Sequence, residues 1–192
     1  TARVLSEHFK EVLIVENDAY PTGPDVRPGT PQAFHPHRFT PRGKAVIERL
    51  FPGYEQDMIA NGCPSSLKKT AYFMNQYGSL EMKYDRDDLK FSRAVLEWVI
   101  RQRTAAISNV KFLTKHQVTG LLTSPDGTEV MGVQARDREQ SGKEKALMAD
   151  LVIDTSGRSS KLSGWLADLG YEVPKPDLLK VSLGYSTRRY KV

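Results

Sequence analysis

Two short, almost purely apolar runs set the strongest limit on how this chain of 192 residues can fold. They lie at residues 11–16 (Glu-Val-Leu-Ile-Val-Glu) and 151–153 (Leu-Val-Ile). Unbroken apolarity, as opposed to alternation, is typical of a strand covered on both faces, as in a parallel sheet flanked by helices. Residues 2–9 have the apolar spacing of a helix. The pattern therefore predicts an α/β fold with a parallel sheet that starts within a strand–helix–strand unit.

The first half of the chain predicts a long loop and several helices. Residues 17–41 are rich in Pro, Gly and Thr, and a long loop inside a compact domain is usually functional. Helices are expected at residues 42–51 and 54–60. Another is expected at residues 93–106, where Ser92 can serve as the N-cap.

The remaining segments predict mostly β-structure. We expect a β-hairpin at about residues 67–84 and a three-stranded β-meander at about residues 117–148. Turn sequences such as Pro125-Asp126-Gly127 separate the strands of the meander. A helix is expected at residues 159–169, and an alternating pattern predicts one more strand over residues 178–190.

Composition and charge narrow the classes of function. Hydrophobic residues make up 39% of the chain, which is enough for a packed core. No apolar run approaches the roughly 18 residues that a membrane span needs. The formal net charge is +5, but bases and acids are interleaved, which is typical of a solvated surface. Cys63 is the only cysteine, so no internal disulfide can form. We expect a cytoplasmic protein that has no membrane span and binds no nucleic acid.

Residues suited to nucleotide binding follow both apolar runs. Glu16 ends the first run, where an acid in dinucleotide-binding folds accepts hydrogen bonds from ribose hydroxyls. An ordinary exposed acid is the alternative. Residues 154–160 (Asp-Thr-Ser-Gly-Arg-Ser-Ser) follow the second run, where free backbone N–H groups can bind phosphate or polyol oxygens. There the alternative is a simple turn into a helix, capped by Ser159 or Ser160.

The long loop contains His35-Pro36-His37-Arg38. Two histidines at this spacing invite comparison with a metal site. The chain has only four histidines and one cysteine, however, and no carboxylate cluster with ligand spacing stands beside the pair. We expect no metal. The loop either faces a cofactor through charge and hydrogen bonds or has only a structural role.

Several sequence pieces occur in an order that identifies a resemblance. They are a strand ending in Glu16, the loop of residues 27–37 (Arg-Pro-Gly-Thr-Pro-Gln through His-Pro-His), the helix start Ser92-Arg93, and residues 152–160. In this order they resemble the FAD-dependent monooxygenase family (para-hydroxybenzoate hydroxylase-like flavoprotein oxidoreductases). The resemblance covers nearly the whole chain.

The resemblance implies a domain organisation. Residues 1–177 would be an incomplete α/β, Rossmann-like (glutathione-reductase-type) FAD-binding domain with the β-meander. Residues 178–192 would begin a substrate-binding β-sheet domain. The Gly-x-Gly-x-x-Gly turn would lie before Thr1, and the third fingerprint and most of the substrate domain would follow Val192. We therefore expect the chain alone to bind FAD poorly and to show no turnover.

The resemblance also implies roles for individual residues. Glu16 would bind the adenosine ribose, and Val118 would touch the adenine edge. His37 stands where relatives often have an Arg against the pyrophosphate or ribityl chain, and Arg93 would face the cofactor from its helix start. The second fingerprint, near the flavin pyrophosphate and the reduced nicotinamide, would consist of Asp154, Ser156, Gly157 and Arg158.

The implied activity is NAD(P)H-dependent hydroxylation of a small organic or aromatic substrate, with FAD as the cofactor. No residue receives a catalytic role. Ser156 precedes Gly157 where the family usually has Asp-Gly, so flavin-dependent halogenases and geranylgeranyl-reductase-like enzymes remain alternatives. The meander disfavours a simple nicotinamide-dependent dehydrogenase. A non-catalytic basic module that binds nucleic acid or protein is a further alternative.

Overall fold

A computed structural model describes residues 1–28, 30–37, 39–63, 69–84, 89, 91–139, 142–184 and 186–188. The helices are α1 (Ala2–Leu5), α2 (Pro41–Leu50), α3 (Tyr54–Ala60), α4 (Arg93–Ala105) and α5 (Leu162–Asp168). The strands are β1 (Val12–Val15), β2 (Pro36–His37), β3 (Lys69–Asn75), β4 (Gly78–Tyr84), β5 (Phe91–Ser92), β6 (Val110–Leu113), β7 (His116–Thr123), β8 (Val130–Asp137) and β9 (Glu144–Met148). Short 3-10 helices cover Pro31–Phe34 and Gly157–Ser159.

The chain divides into two compact units. The first unit comprises Thr1–Leu13, Tyr20–Lys111 and the described residues of Ser186–Val192. The second unit comprises Ile14–Ala19 and the described residues of Phe112–Tyr185. These units are defined by packing. The functional domains 1–177 and 178–192 stay a prediction.

The core of the first unit surrounds α3 and α4. Met58 is fully buried and Tyr54 is 1% exposed, and both pack with Phe51, Phe91 and Val99. Burial and the neighbouring carboxylates raise the pKa of Tyr54 to about 12. The predicted amphipathic face of α4 is confirmed, because Val99 is buried and Val95, Leu96 and Ile100 pack against the same cluster.

Side chains at the helix starts determine where α2 and α4 begin. The Thr40 hydroxyl accepts a hydrogen bond from the Gly43 N–H at 3.2 Å, and Pro41 occupies the first helical turn. The Ser92 hydroxyl accepts one from the Val95 N–H at 3.3 Å. Each cap therefore satisfies one of the backbone N–H groups that a helix leaves without an internal partner.

Replacing the cap of α4 gives a first prediction. Ser92→Ala is expected to lower the free energy of unfolding by about 1 kcal/mol, because the Val95 N–H loses its side-chain acceptor. Denaturant unfolding followed by circular dichroism measures the change. Ser108→Ala, at an exposed serine after α4, is the control and should change stability by less than about 0.5 kcal/mol. Equal losses in both variants would contradict the capping role.

Strands β7, β8 and β9 form the antiparallel meander that the turn sequences predict. In the turn between β7 and β8, Asp126 accepts hydrogen bonds from the Ser124 hydroxyl at 2.6 Å and the Thr128 hydroxyl at 2.9 Å. These bonds lower the pKa of Asp126. Gly127 follows with φ 70°, so the Pro-Asp-Gly signal corresponds to a real turn. The predicted hairpin is present as β3 and β4.

Strands β1 and β6 form a two-stranded sheet. The Val12 N–H donates to the Asn109 carbonyl at 2.8 Å, and the Glu16 N–H donates to the Leu113 carbonyl at 2.9 Å. The donor and the acceptor positions both increase from the first hydrogen bond to the second, so the two strands run parallel, as expected. The prediction that β1 is covered on both faces was wrong, because Leu13 is 40% exposed. Two strands in the described sheet do not enclose an apolar run on both faces.

Two further strand predictions were wrong. Residues 151–153 have no regular secondary structure, and Leu151 and Ile153 are 51% and 45% exposed. The described residues of 178–190 are likewise irregular, with Leu179 91% exposed, while Tyr185, Arg189 and Tyr190 lie outside the described residues. An apolar or alternating pattern needs a neighbouring strand to pair with, and among the described residues neither segment has one.

No helix in the described part of the chain is long and apolar enough to cross a membrane.

Candidate cofactor-binding site

The structure places the predicted site residues in two groups. His37 and Arg93 belong to the first unit. The second unit holds the others: Glu16, Val118, Asp154, Ser156, Gly157 and Arg158.

His37 and Arg93 are brought close together by the pairing of β2 with β5. His37 in β2 pairs with Phe91 in β5, and Arg93 follows Phe91 by two residues along the chain. The His37 ring nitrogen Nδ1 lies 2.8 Å from the His35 carbonyl, which can only accept, so Nδ1 donates. Nε2 of a neutral His37 is then an acceptor, and Nε2 of a protonated His37 is a donor.

The side chain of Arg93, at the start of α4, forms an ion pair. Its Nε donates to Oε1 of Glu97 at 2.9 Å, one helical turn further on. Oε2 of the same carboxylate accepts from Nε of Arg27 at 3.2 Å, and Arg27 belongs to the Pro-rich loop. Glu97 therefore bridges two arginines that are far apart in sequence.

A third arginine lies on the same face of α4. Arg101 donates from Nη2 to the Pro21 carbonyl at 2.8 Å. Its guanidinium lies 4.5 Å from the centre of the Tyr20 ring and 5.1 Å from that of Trp98. Burial lowers the pKa of Arg101, and the positive charge of Arg27 contributes in the same direction. We call Arg27, Arg93, Arg101 and Glu97 the arginine cluster.

Sequence reasoning found Arg93 but missed the other members of the arginine cluster. Positions 93, 97 and 101 are spaced four apart, so they share a helix face, and this signal was available. No sequence signal pairs Arg27 with Glu97, because 70 residues separate them.

In the second unit, Glu16 and Val118 are linked through β7. One carboxylate oxygen of Glu16 accepts from the Asp18 N–H at 3.1 Å. The Glu16 carbonyl accepts from the His116 N–H at 3.0 Å, and Val118 follows two residues later in β7. The acid at the end of β1 and the residue proposed for the adenine edge thus belong to one hydrogen-bonded segment.

The Asp154 turn carries the proposed second fingerprint. One Asp154 oxygen accepts from the Ser156 N–H at 2.8 Å, and the other accepts from the Ser160 hydroxyl. Hydrogen bonds from Ser156 and Ser160 lower the pKa of Asp154, so its carboxylate stays ionised. Gly157 has φ 77°, and an added Cβ would meet no atom within 4 Å. The space over this glycine is open.

The same turn also serves as a connection into α5. The Ser160 hydroxyl accepts from the Leu162 N–H at 3.1 Å, at the first residue of the helix. Residues 154–160 are exposed. The alternative of a simple turn into a helix therefore has structural support, and the cofactor role of Asp154, Ser156, Gly157 and Arg158 stays a prediction.

The described residues contain no group of three or more histidine, cysteine, aspartate or glutamate side chains that could hold a metal ion.

Comparisons with known proteins identify the fold. No known family model matches the chain. Protein Rv3254 of Mycobacterium tuberculosis is 29% identical over 208 residues, and the match takes in 100% of this chain and 42% of that protein. The chain therefore spans less than half of this relative.

Two solved flavoprotein structures resemble the chain over most of its length. The myxobacterial chondrochloren halogenase CndH, an FAD-dependent halogenase, gives a TM-score of 0.60 at 18% identity, over 83% of this chain and 35% of that one. The flavin-dependent monooxygenase PieE, solved with FAD and substrate, gives 0.57 at 15% identity, over 88% and 29%. The chain has the Rossmann-like fold of FAD-binding flavoproteins. The predicted α/β fold class is thereby confirmed.

Within this flavoprotein fold, the two units offer different chemistry. The first unit presents guanidinium groups and the His37 ring, which suit phosphate oxygens. The second unit presents the carboxylates of Glu16 and Asp154, which suit sugar hydroxyls.

Proposed function

We propose that the chain is the cofactor-binding part of an FAD-dependent oxidoreductase of the monooxygenase family. The observation that carries this proposal is the flavoprotein fold, shared at a TM-score of 0.57 to 0.60 with the two FAD-dependent enzymes. The substrate would be a small organic or aromatic molecule, and NAD(P)H would be the reductant. The functional domains would be residues 1–177 and 178–192.

Each proposed contact uses chemistry present in the chain. Glu16 would accept hydrogen bonds from the adenosine ribose, and Val118 would pack at the adenine edge. Arg93 and His37 would neutralise or hydrogen-bond phosphate oxygens. The Asp154 turn would present backbone N–H groups beside the open space at Gly157. Bound FAD would supply the redox chemistry, and the protein would orient it and exclude water.

A halogenase is the second candidate. CndH is an FAD-dependent halogenase, and its likeness to this chain is comparable to that of PieE. Ser156 in the second fingerprint also departs from the usual Asp-Gly of the monooxygenases. Because the chain alone is expected to show no turnover, the two reactions would be separated in a longer, active protein that contains this chain. Product analysis there with and without chloride or bromide distinguishes them, because only halogenation incorporates the halide.

We also propose a cytoplasmic location, for which the lone cysteine is the support.

Arg93 provides the test of cofactor binding. The chain is expected to bind FAD weakly but saturably, with a Kd of roughly 10 µM to 1 mM. Arg93→Gln should weaken binding about tenfold, since a charge-assisted contact to phosphate is lost. Flavin fluorescence or equilibrium dialysis measures both constants.

Arg49→Gln is the matched control, because Arg49 is an exposed helical arginine of the same unit. It should leave the FAD affinity within about twofold of the original. No saturable binding at millimolar FAD, or equal losses in both variants, would contradict the proposed function.

A further inference from the structure

Residues 16–18 follow β1, and hydrogen bonds from the start of β7 hold both ends of this segment. The Glu16 carbonyl accepts from the His116 N–H at 3.0 Å, and the Asp18 carbonyl accepts from the Lys115 N–H at 3.4 Å. Lys115 has φ 59°, in the left-handed region that residues with a Cβ rarely adopt. Such a backbone persists only where the surrounding structure holds it in place. The segment is therefore anchored at both ends to a constrained turn.

Arg138, directly after β8, makes the contact in the middle of this segment. Its Nη1 donates to the Asn17 carbonyl at 3.0 Å and lies 3.4 Å from Oδ1 of Asp18. Its backbone N–H donates to the Lys115 carbonyl at 3.0 Å. Arg138 is thus bonded both to the segment and to the turn that anchors it. Backbone donors hold the two outer carbonyls of the segment, whereas a side-chain donor holds the middle one.

The peptide group between Asn17 and Asp18 transmits this contact to Glu16. The peptide bond is trans, so the group is planar and its C=O and N–H point in opposite directions. The C=O accepts from Arg138, and the N–H donates to Oε1 of Glu16 at 3.1 Å. The guanidinium group therefore fixes a plane whose opposite edge holds the Glu16 carboxylate. Its positive charge also polarises the peptide group and strengthens the N–H as a donor.

We infer that Arg138 is a positioning residue for the carboxylate of Glu16. Arg138 acts through the peptide group between Asn17 and Asp18, and not on the ligand. The inference rests on the proposed function for the group that Glu16 binds, namely the ribose hydroxyls of adenosine. Without Arg138 the peptide group is free to turn, so the carboxylate has to be ordered when the ligand binds. That ordering lowers the affinity.

Hydrogen exchange of the Asp18 amide, followed by NMR, tests the positioning without a ligand. Arg138→Gln removes the charge and shortens the side chain. The Asp18 amide should then exchange about tenfold faster, because the peptide plane that aims it at Glu16 is no longer held. An unchanged exchange rate would contradict the positioning role.

Arg136→Gln is the matched control. Arg136 lies two residues earlier, in β8, and its side chain is 48% exposed, against 50% for Arg138. It pairs with Glu144 of β9 at 3.2 Å. Its replacement should leave the exchange rate of the Asp18 amide within about twofold.

ADP and its dideoxy analogue, which lacks both ribose hydroxyls, test the link to ligand binding in an NMR titration. The original chain should bind ADP more tightly than the analogue. Arg138→Gln should raise the ADP Kd about fivefold and leave the Kd of the analogue within about twofold. A merely structural role for Arg138 would weaken both ligands alike. Arg136→Gln should change neither Kd by more than about twofold.

The outcomes separate the inference from the proposed function. If the original chain binds FAD but does not prefer ADP to the analogue, the inference fails and the proposed function stands. Equal losses for the two ligands in Arg138→Gln, or equal effects of the two arginine variants, have the same meaning. If the original chain binds neither FAD nor ADP, both the inference and the proposed function are rejected.

Discussion

Gly132→Ala is expected to lower the free energy of unfolding of the second unit by about 3 kcal/mol or more. Gly132 lies in β8 with φ 151°, a conformation that residues with a Cβ rarely adopt. An added Cβ would lie 2.1 Å from the Leu147 carbonyl oxygen and 2.9 Å from the Met148 Cα. Both obstacles are backbone atoms of β9, so side-chain rotation cannot relieve the clash.

Gly120→Ala is the matched control for this prediction. Gly120 lies in β7 of the same sheet, and an added Cβ there would meet nothing within 4 Å. Its replacement should change stability by less than about 1 kcal/mol. Urea unfolding followed by circular dichroism measures both variants. Similar losses would show that β8 and β9 are not packed as closely as described.

Met58→Ala is expected to lower the free energy of unfolding of the first unit by about 2–5 kcal/mol. Met58 is fully buried in α3. Truncation removes apolar contacts with the surrounding aromatic cluster and leaves a cavity. The effect should be visible as a lower midpoint in urea at an unchanged slope.

Met74→Ala is the control, since Met74 is 79% exposed in the hairpin. At this position the same substitution should lower the free energy of unfolding by less than about 0.5 kcal/mol. If both variants lose the same stability, the assignment of Met58 to the core is wrong.

The sequence predicted local elements well because their signals are local. Ser92 precedes α4, and its hydroxyl accepts a hydrogen bond from the Val95 N–H. The turn at Pro125-Asp126-Gly127 is held by hydrogen bonds from the adjacent Ser124 and Thr128 to Asp126. Such interactions involve residues a few positions apart. The sequence alone contains the information that places them.

The two wrong strands were predicted from apolarity without knowledge of a partner. Residues 151–153 have the composition of a buried strand, and residues 178–190 have the alternation of a strand. A strand exists through hydrogen bonds to another strand, which local composition does not identify. Whether such a segment forms a strand therefore depends on tertiary pairing, which neither segment has among the described residues.

Only part of the candidate site was predictable, because local composition does not identify partners that are distant in sequence. Glu16 and the Asp154 turn follow from their place in the order of elements. Glu97 and Arg27 meet across 70 residues, and only the folded loop brings them together. The contact between Arg27 and Glu97 is thus a property of the fold, which motif matching does not detect.

Trp98, whose ring contacts Arg101, is useful as a fluorescent reporter. The chain has only two tryptophans, and Trp98 belongs to the first unit while Trp165 belongs to the second. Each unit therefore contains its own intrinsic fluorophore. Replacing one indole by Phe would leave an emission signal that reports on a single unit, so the order in which the two units melt can be followed without an added dye.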